Sequence, residues 1–141
     1  MIMMRQYGLA RRASASPLLT WLLLRLVATR RLAAGDSVSY GAAWRAGAPT
    51  TIVTIAAGYA DGVPRALGSV GRVEGGGEPL PIAGRVTMDF TMLDAGNRDV
   101  PVGSVATIFG DGVTVDAQAA AAGTISYDLL TGLGNRVIRR Y

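Results

Sequence analysis

Apolar residues in this chain fall into short blocks separated by glycine, proline and aspartate, a pattern that predicts strands joined by turns. The first block, Leu18 to Arg31, reads as a long, mostly buried strand, although periodicity by itself also permits a helix there. A turn at Ala34-Gly35-Asp36 leads into a short strand, Ser37 to Gly41, and another turn follows at Ala46-Gly47-Ala48-Pro49. Thr51 to Ala57 is β-branched and apolar almost throughout, the composition of an interior strand. Val70 to Glu74 and Pro79 to Ile82 flank Gly75-Gly76-Gly77 as the arms of a hairpin. Val86 to Leu93 alternates, with Val86, Met88, Phe90 and Met92 set against Thr87, Asp89 and Thr91, and so predicts a half-buried strand. A further strand, Ser104 to Phe109, runs between Pro101-Val102-Gly103 and Gly110-Asp111-Gly112.

The pattern then changes. Asp116 to Ala122 is helix composition, with an acid at the start and Gly123 at the stop. Thr124 or Ser126 is placed to cap a second short helix through Tyr127, Leu129, Leu130 and Leu133, and Val137-Ile138 makes a closing strand. Met1 to Ser16 has no clean periodicity and is left unassigned, whereas 17–141 reads as one β-domain. The sum is a mainly β chain, a barrel or sandwich with one or two short helices near its C-terminal end.

Composition narrows the chemistry. At 141 residues, half of them hydrophobic, the chain holds one domain with a real core. It has no Cys and no His, which removes disulfides, thiolate chemistry, His-based triads and the commonest metal ligands. No metal site is expected. All 14 basic residues are Arg, so the chain has no lysine amine on which pyridoxal phosphate is held as a Schiff base. Six of those Arg lie before Asp36 with no acid among them, against eight Arg and ten acids afterwards. That basic head, Arg/Ser-rich at its start, faintly resembles a transit peptide. It shows neither aromatic interleaving nor a nucleic-acid-binding motif, so no nucleic-acid partner is expected. The apolar run Pro17 to Leu24 stops at Arg25, short of the roughly 20 residues a membrane helix needs.

Side chains with chemistry gather where the apolar pattern breaks. Gly58-Tyr59-Ala60-Asp61-Gly62-Val63-Pro64-Arg65 follows the Thr51 strand, and Gly84-Arg85-Val86-Thr87-Met88-Asp89 forms a second polar tip. A rigid strand aims such residues while the loop keeps them accessible. On local grounds alone Tyr59 also reads as a half-buried core tyrosine, Arg85 and Asp89 as a surface pair, Met88 as core filler, and Tyr127 as packing on Leu130. Gly75-Gly76-Gly77 lacks the helix and Lys of a phosphate loop.

In this order the pieces resemble the C-terminal β-domain of alanine racemase. The matching stretches are Ser37-Val38-Ser39-Tyr40-Gly41, Gly58 to Arg65, Pro81-Ile82-Ala83 through Asp89, Gly123-Thr124-Ile125-Ser126-Tyr127, and the tail Arg136 to Tyr141. The resemblance implies a Greek-key β-barrel that normally follows a TIM-like barrel carrying pyridoxal 5'-phosphate on a lysine. Two subunits associate head to tail, so that each site draws on both. It implies Tyr59 as the catalytic tyrosine that takes the α-proton of the L-enantiomer. Met88 is implied to bind substrate through its backbone, Arg85 to line the entry corridor, and Tyr127 to touch the cofactor phosphate. A cytoplasmic racemase supplying D-alanine for cell wall follows from the same resemblance, with alanine as substrate and a barrel-bearing chain or homodimer partner. The chain departs from the family at Val63, at Ile138 and in lacking the cofactor-bearing barrel; by itself it is not expected to be active. The rival reading is a non-catalytic, stand-alone β-barrel remnant or interaction module.

Overall fold

The computed structural model describes residues 2–7 and 19–140, with side chains over 22–138. Among the described residues ten strands occur in chain order: β1 (Ile2–Tyr7), β2 (Leu19–Leu32), β3 (Ser37–Val38), β4 (Trp44–Arg45), β5 (Thr50–Ile55), β6 (Arg72–Gly75), β7 (Glu78–Pro81), β8 (Thr91–Gly96), β9 (Val105–Phe109) and β10 (Val137–Arg140). Two helices, α1 (Val115–Ala122) and α2 (Ser126–Thr131), precede the last strand. Among the described residues no helix is long and apolar enough to cross a membrane.

Eight strands share one sheet in the order β10-β1-β2-β9-β6-β7, with β5 on β2 and β8 on β5. A bridge between Ile82 and Leu93 joins the β7 side to β8, so the sheet curls into a nearly closed barrel. Most neighbours are distant in sequence, as in Greek-key connections; the hairpin β6–β7 is an exception. Its tip, Gly76-Gly77, has positive φ at both positions, which a two-residue hairpin turn of this hand requires.

β2 is the strand that makes the barrel possible. Its first half pairs with β1 and β9, and its second half pairs with β5. Leu22, Leu24 and Leu26 alternate into the main core with Val53, Ile55, Leu93, Ala106 and Ile108. Between Leu26 and Ala28 the register with β5 slips by a bulge. An extra residue turns the rest of the strand over. Leu32 therefore leaves the barrel interior and packs with Ala46, Ile52 and Ala83 in a second, smaller core beneath the β3–β4 arm. β5 serves both cores, Val53 and Ile55 inward and Ile52 outward, which is why it reads as a continuous apolar run and not an alternating one.

The pattern-based assignments hold for β5, β9, the β6–β7 hairpin and α1. Thr114 caps α1 by accepting the Ala117 N–H at 3.1 Å, and Gly123 closes it in the left-handed region. Other assignments change. Ser37 to Gly41 is a strand only over Ser37–Val38 and then gives way to a 3-10 turn, Tyr40–Ala42, with Gly41 at φ 67°. Ile125, and neither Thr124 nor Ser126, stands at the N-cap of α2, which has no side-chain cap. Ile2–Tyr7, given no element by periodicity, pairs with β2 and, in parallel, with β10; residues 8–18, including the rest of the unassigned head, lie outside the described residues. The alternating stretch Val86 to Leu93 is a turn before it is a strand, and β8 begins only at Thr91. Thr87 takes over the local backbone bonding: its N–H and its hydroxyl both donate to the Phe90 carbonyl, at 3.0 and 2.9 Å. Its Oγ1 also accepts the Phe90 N–H at 3.1 Å. A side chain that binds its own backbone in this way competes with the sheet ladder. Met88 and Phe90 consequently stand exposed, and the inward phase of β8 is Thr91, Leu93 and Ala95.

Candidate active site

β5 and β8 are antiparallel neighbours, with Ile55 opposite Thr91. The chain therefore leaves β5 at the same barrel end where it enters β8, and the loops carrying Tyr59 and Met88 must meet. Thr91 seals the junction from inside by donating its buried hydroxyl to the Ala57 carbonyl at 2.8 Å.

Two main-chain bonds then lay one loop on the other. Tyr59 N–H donates to the Thr87 carbonyl at 2.9 Å, and Ala60 N–H donates to the Met88 carbonyl at 3.0 Å. Gly58 makes this approach possible, because a Cβ there would lie 2.5 Å from the Met88 carbonyl carbon and closer still to the Thr87 and Met88 oxygens. Tyr59 opens a single 3-10 turn, Tyr59–Asp61, that ends at Gly62 with φ 101°. A side chain at Gly62 would be strained and would strike Gly132 and Leu133, at the end of α2. The turn holds the phenol at the surface, 45% exposed, with the Arg65 guanidinium carbon 5.6 Å from the ring centroid. That is cation–π distance.

Beneath the phenol the loop is anchored by a carboxylate. Asp61 is 3% exposed; its Oδ2 accepts the Gly58 N–H at 3.0 Å, and its Oδ1 faces Arg136 Nη1 at 3.6 Å. The same Nη1 donates to Asp89 Oδ1 at 2.8 Å. The hydrogen bond to Asp89, followed by the charges of Asp61 and Asp89, holds the Arg136 guanidinium above even its ordinary range. The Asp89 carboxylate thus pairs with Arg136 and not with Arg85. Arg85 is exposed, makes no ion pair among the described residues, and is held through its backbone, whose N–H donates to Ser39 Oγ at 2.9 Å.

Of the four site residues expected from sequence, Tyr59 and Met88 lie on loops joined by two main-chain bonds, and Arg85 stands three residues before Met88 on the same loop. Tyr127 is exposed on α2, and the segment just after that helix meets the Tyr59 loop, where Gly132 and Leu133 abut Gly62 and Gly134 N–H donates to the Asp61 carbonyl. The sequence reading assigned no role to Arg136, Asp61 or Arg65. The one signal for Arg136 was the ordered tail Arg136 to Tyr141. What the arrangement offers chemically is an accessible phenol beside a loop with a donor to spare: among the described residues the Met88 N–H has no hydrogen-bond partner.

Comparison with known proteins bears on what such a site serves. The family described as alanine racemase, C-terminal domain, matches residues 20–141. The alanine racemase of Chlorobaculum tepidum is 47% identical over 117 residues, 82% of this chain and 30% of that protein. The crystal structure of biosynthetic alanine racemase from Pseudomonas aeruginosa superposes with a TM-score of 0.82 at 41% identity, over 86% of this chain and 34% of the other. Alanine racemase from Bartonella henselae, solved with covalently bound pyridoxal phosphate, gives 0.85 at 31% identity, over 92% of this chain and 37% of the other. This chain therefore spans about a third of the length of the relatives it matches.

Proposed function

Because the chain belongs to the alanine racemase family, as its C-terminal domain, we propose that residues 17–141 form one half of a composite racemase site in which Tyr59 moves a proton at the α-carbon of alanine. The carrying observation is the pair of main-chain bonds from Tyr59 and Ala60 to Thr87 and Met88, which sets an exposed phenol beside an exposed loop. Inverting a stereocentre requires removal of a proton from one face and its return to the other. The phenol serves the face from which the L-enantiomer loses its proton. With no Lys in the chain, the group for the opposite face comes from a barrel-bearing racemase chain, in a homodimer or a split pair.

The other residues bind and orient. The Met88 N–H, unpartnered among the described residues, is available to a substrate oxygen, and the Arg85 guanidinium, unpaired among them, draws a carboxylate toward the site. Pyridoxal phosphate, when bound, supplies the electron sink at the α-carbon. The donors here fit a peripheral share in holding it: Tyr127 is 66% exposed and its hydroxyl has no hydrogen-bond partner among the described residues, so it is free to donate to the phosphate. In the cell this is a cytoplasmic activity supplying D-alanine to the wall.

The test is reconstitution with a lysine-bearing barrel chain, followed by D-alanine formation from L-alanine. Tyr59→Phe is expected to lower the rate by roughly 10²–10⁴, the range for loss of a positioned acid–base group. Equal rates for the two proteins would remove Tyr59 from the reaction. Appreciable racemisation by this chain without any barrel would overturn the composite site.

A further inference from the structure

Asp61 and Asp89 stand on different loops, yet one guanidinium nitrogen serves both. Arg136 Nη1 lies 2.8 Å from Asp89 Oδ1 and 3.6 Å from Asp61 Oδ1. Asp61 follows Tyr59 by two residues and Asp89 follows Met88 directly. The two acids differ in setting: the Asp61 side chain is 4% exposed, the Asp89 side chain 41%. A buried carboxylate is tolerated where it is paired and hydrogen-bonded, and removing its partner leaves an uncompensated charge. Asp61 would keep only the Gly58 N–H.

Arg136 is itself held from both sides. Gly134 N–H donates to the Asp61 carbonyl at 3.0 Å, and a Cβ at Gly134 would strike the Ala60 carbonyl oxygen at 2.7 Å, so the tail lies flat on the Tyr59 turn. One residue past Arg136, β10 begins its parallel pairing with β1. The cation is thereby fixed in the sheet on one side and on the Tyr59 turn on the other. From there its side chain reaches across to the Met88 turn.

We infer that Arg136 is a positioning residue that sets the Tyr59 loop against the Met88 loop, acting through Asp61 and Asp89 and not on substrate. Its consequence for racemisation rests on the function proposed above; the coupling of the two loops stands on the geometry alone.

Residue-resolved amide exchange on the 141-residue chain tests it. In Arg136→Met the Gly58, Tyr59 and Ala60 amides are expected to exchange about tenfold faster while Ile52 to Ile55 stay as they are. Unchanged rates at 58–60, or a loss confined to Val137–Arg140, would overturn the inference. Arg136→Lys, which keeps a single cationic nitrogen, is expected to recover protection to within about threefold of wild type; rates as fast as in Arg136→Met would refute a charge-based coupling. Should Arg136→Met not fold, Asp89→Ala decides, since it removes the acceptor and the charge together on the opposite loop. Exchange about threefold faster at Gly58 and Tyr59 supports the coupling, and no change there refutes it. The reconstituted enzyme separates the two readings. If Tyr59→Phe leaves the rate intact while the amides respond to Arg136, the catalytic role fails and the coupling survives. If Tyr59→Phe slows the reaction and the amides ignore Arg136, only the coupling fails.

Discussion

Gly58→Ala probes the close approach on which the site depends. The added methyl carbon would lie 2.5 Å from the Met88 carbonyl carbon, where ordinary carbon–carbon contact is about 3.5–4.0 Å, so the loops must part by about 1 Å. Both obstacles are main chain and cannot rotate away. Parting by that amount stretches the 2.9 and 3.0 Å bonds from Tyr59 and Ala60 beyond hydrogen-bonding range. Two such bonds are worth about 1–3 kcal/mol together, and overpacking adds about 1–3 kcal/mol. Added, these span about 2–6 kcal/mol, and the centre, about 4 kcal/mol, lowers a urea midpoint by about 2 M for a slope of roughly 2 kcal/mol per M. The assay is urea denaturation of the purified chain beside Gly47→Ala, where a Cβ meets nothing within 4 Å. The control should be neutral or slightly stabilised. A Gly58→Ala midpoint indistinguishable from that of the control would refute the argument that these loops are held by their backbones.

Other outcomes follow from the same contacts. Thr87→Val removes the hydroxyl that donates to and accepts from Phe90; a loss of about 1–2 kcal/mol is expected in denaturation, with a rise in KM of the reconstituted racemase as the Met88 turn loosens. Thr114→Ala removes the cap of α1 and should cost about 1 kcal/mol of stability while leaving racemisation unchanged, because α1 carries no site residue. The raised Arg136 fixes a pH dependence. A cation whose folded pKa exceeds its unfolded value contributes stability fully present below the unfolded value, which lies far above neutrality, and lost only as pH rises through the still higher folded value. The destabilisation of Arg136→Met relative to wild type should therefore be flat across roughly pH 6–9 in parallel denaturation series. A difference that changes across that window would assign the contribution to another group.

Local chemistry was readable wherever one short segment decides its own structure. The glycine pair at 76–77 names its turn, the Asp116-to-Gly123 stretch bounds its helix, and Thr51 to Ala57 announces a strand buried on both sides. The fold class followed, because many short strands with glycine turns leave few alternatives. Tyr59 and Met88 were singled out separately by their motifs, but the meeting of their loops depends on β5 and β8 lying side by side, which no window of sequence contains. The Val86 to Leu93 alternation misled because a threonine hydroxyl outcompeted the ladder. Arg136 and Asp89 are 47 residues apart, and neither has a local pattern that names the other.

The bulge at the middle of β2 has a consequence for how this chain can vary in length. Because the strand feeds the main core as far as Leu26 and the smaller one at Leu32, losing Val27 itself would leave a regular strand in which Leu32, then five positions past Leu26, still faces the smaller core. Gaining one position between Leu26 and Leu32, with the single bulge kept, would instead aim Leu32 into the barrel. A single deletion along this stretch should be absorbed by loss of the bulge, whereas a single insertion needs a second irregularity, so the spacing from Leu26 to Leu32 tolerates shortening by one residue better than lengthening by one.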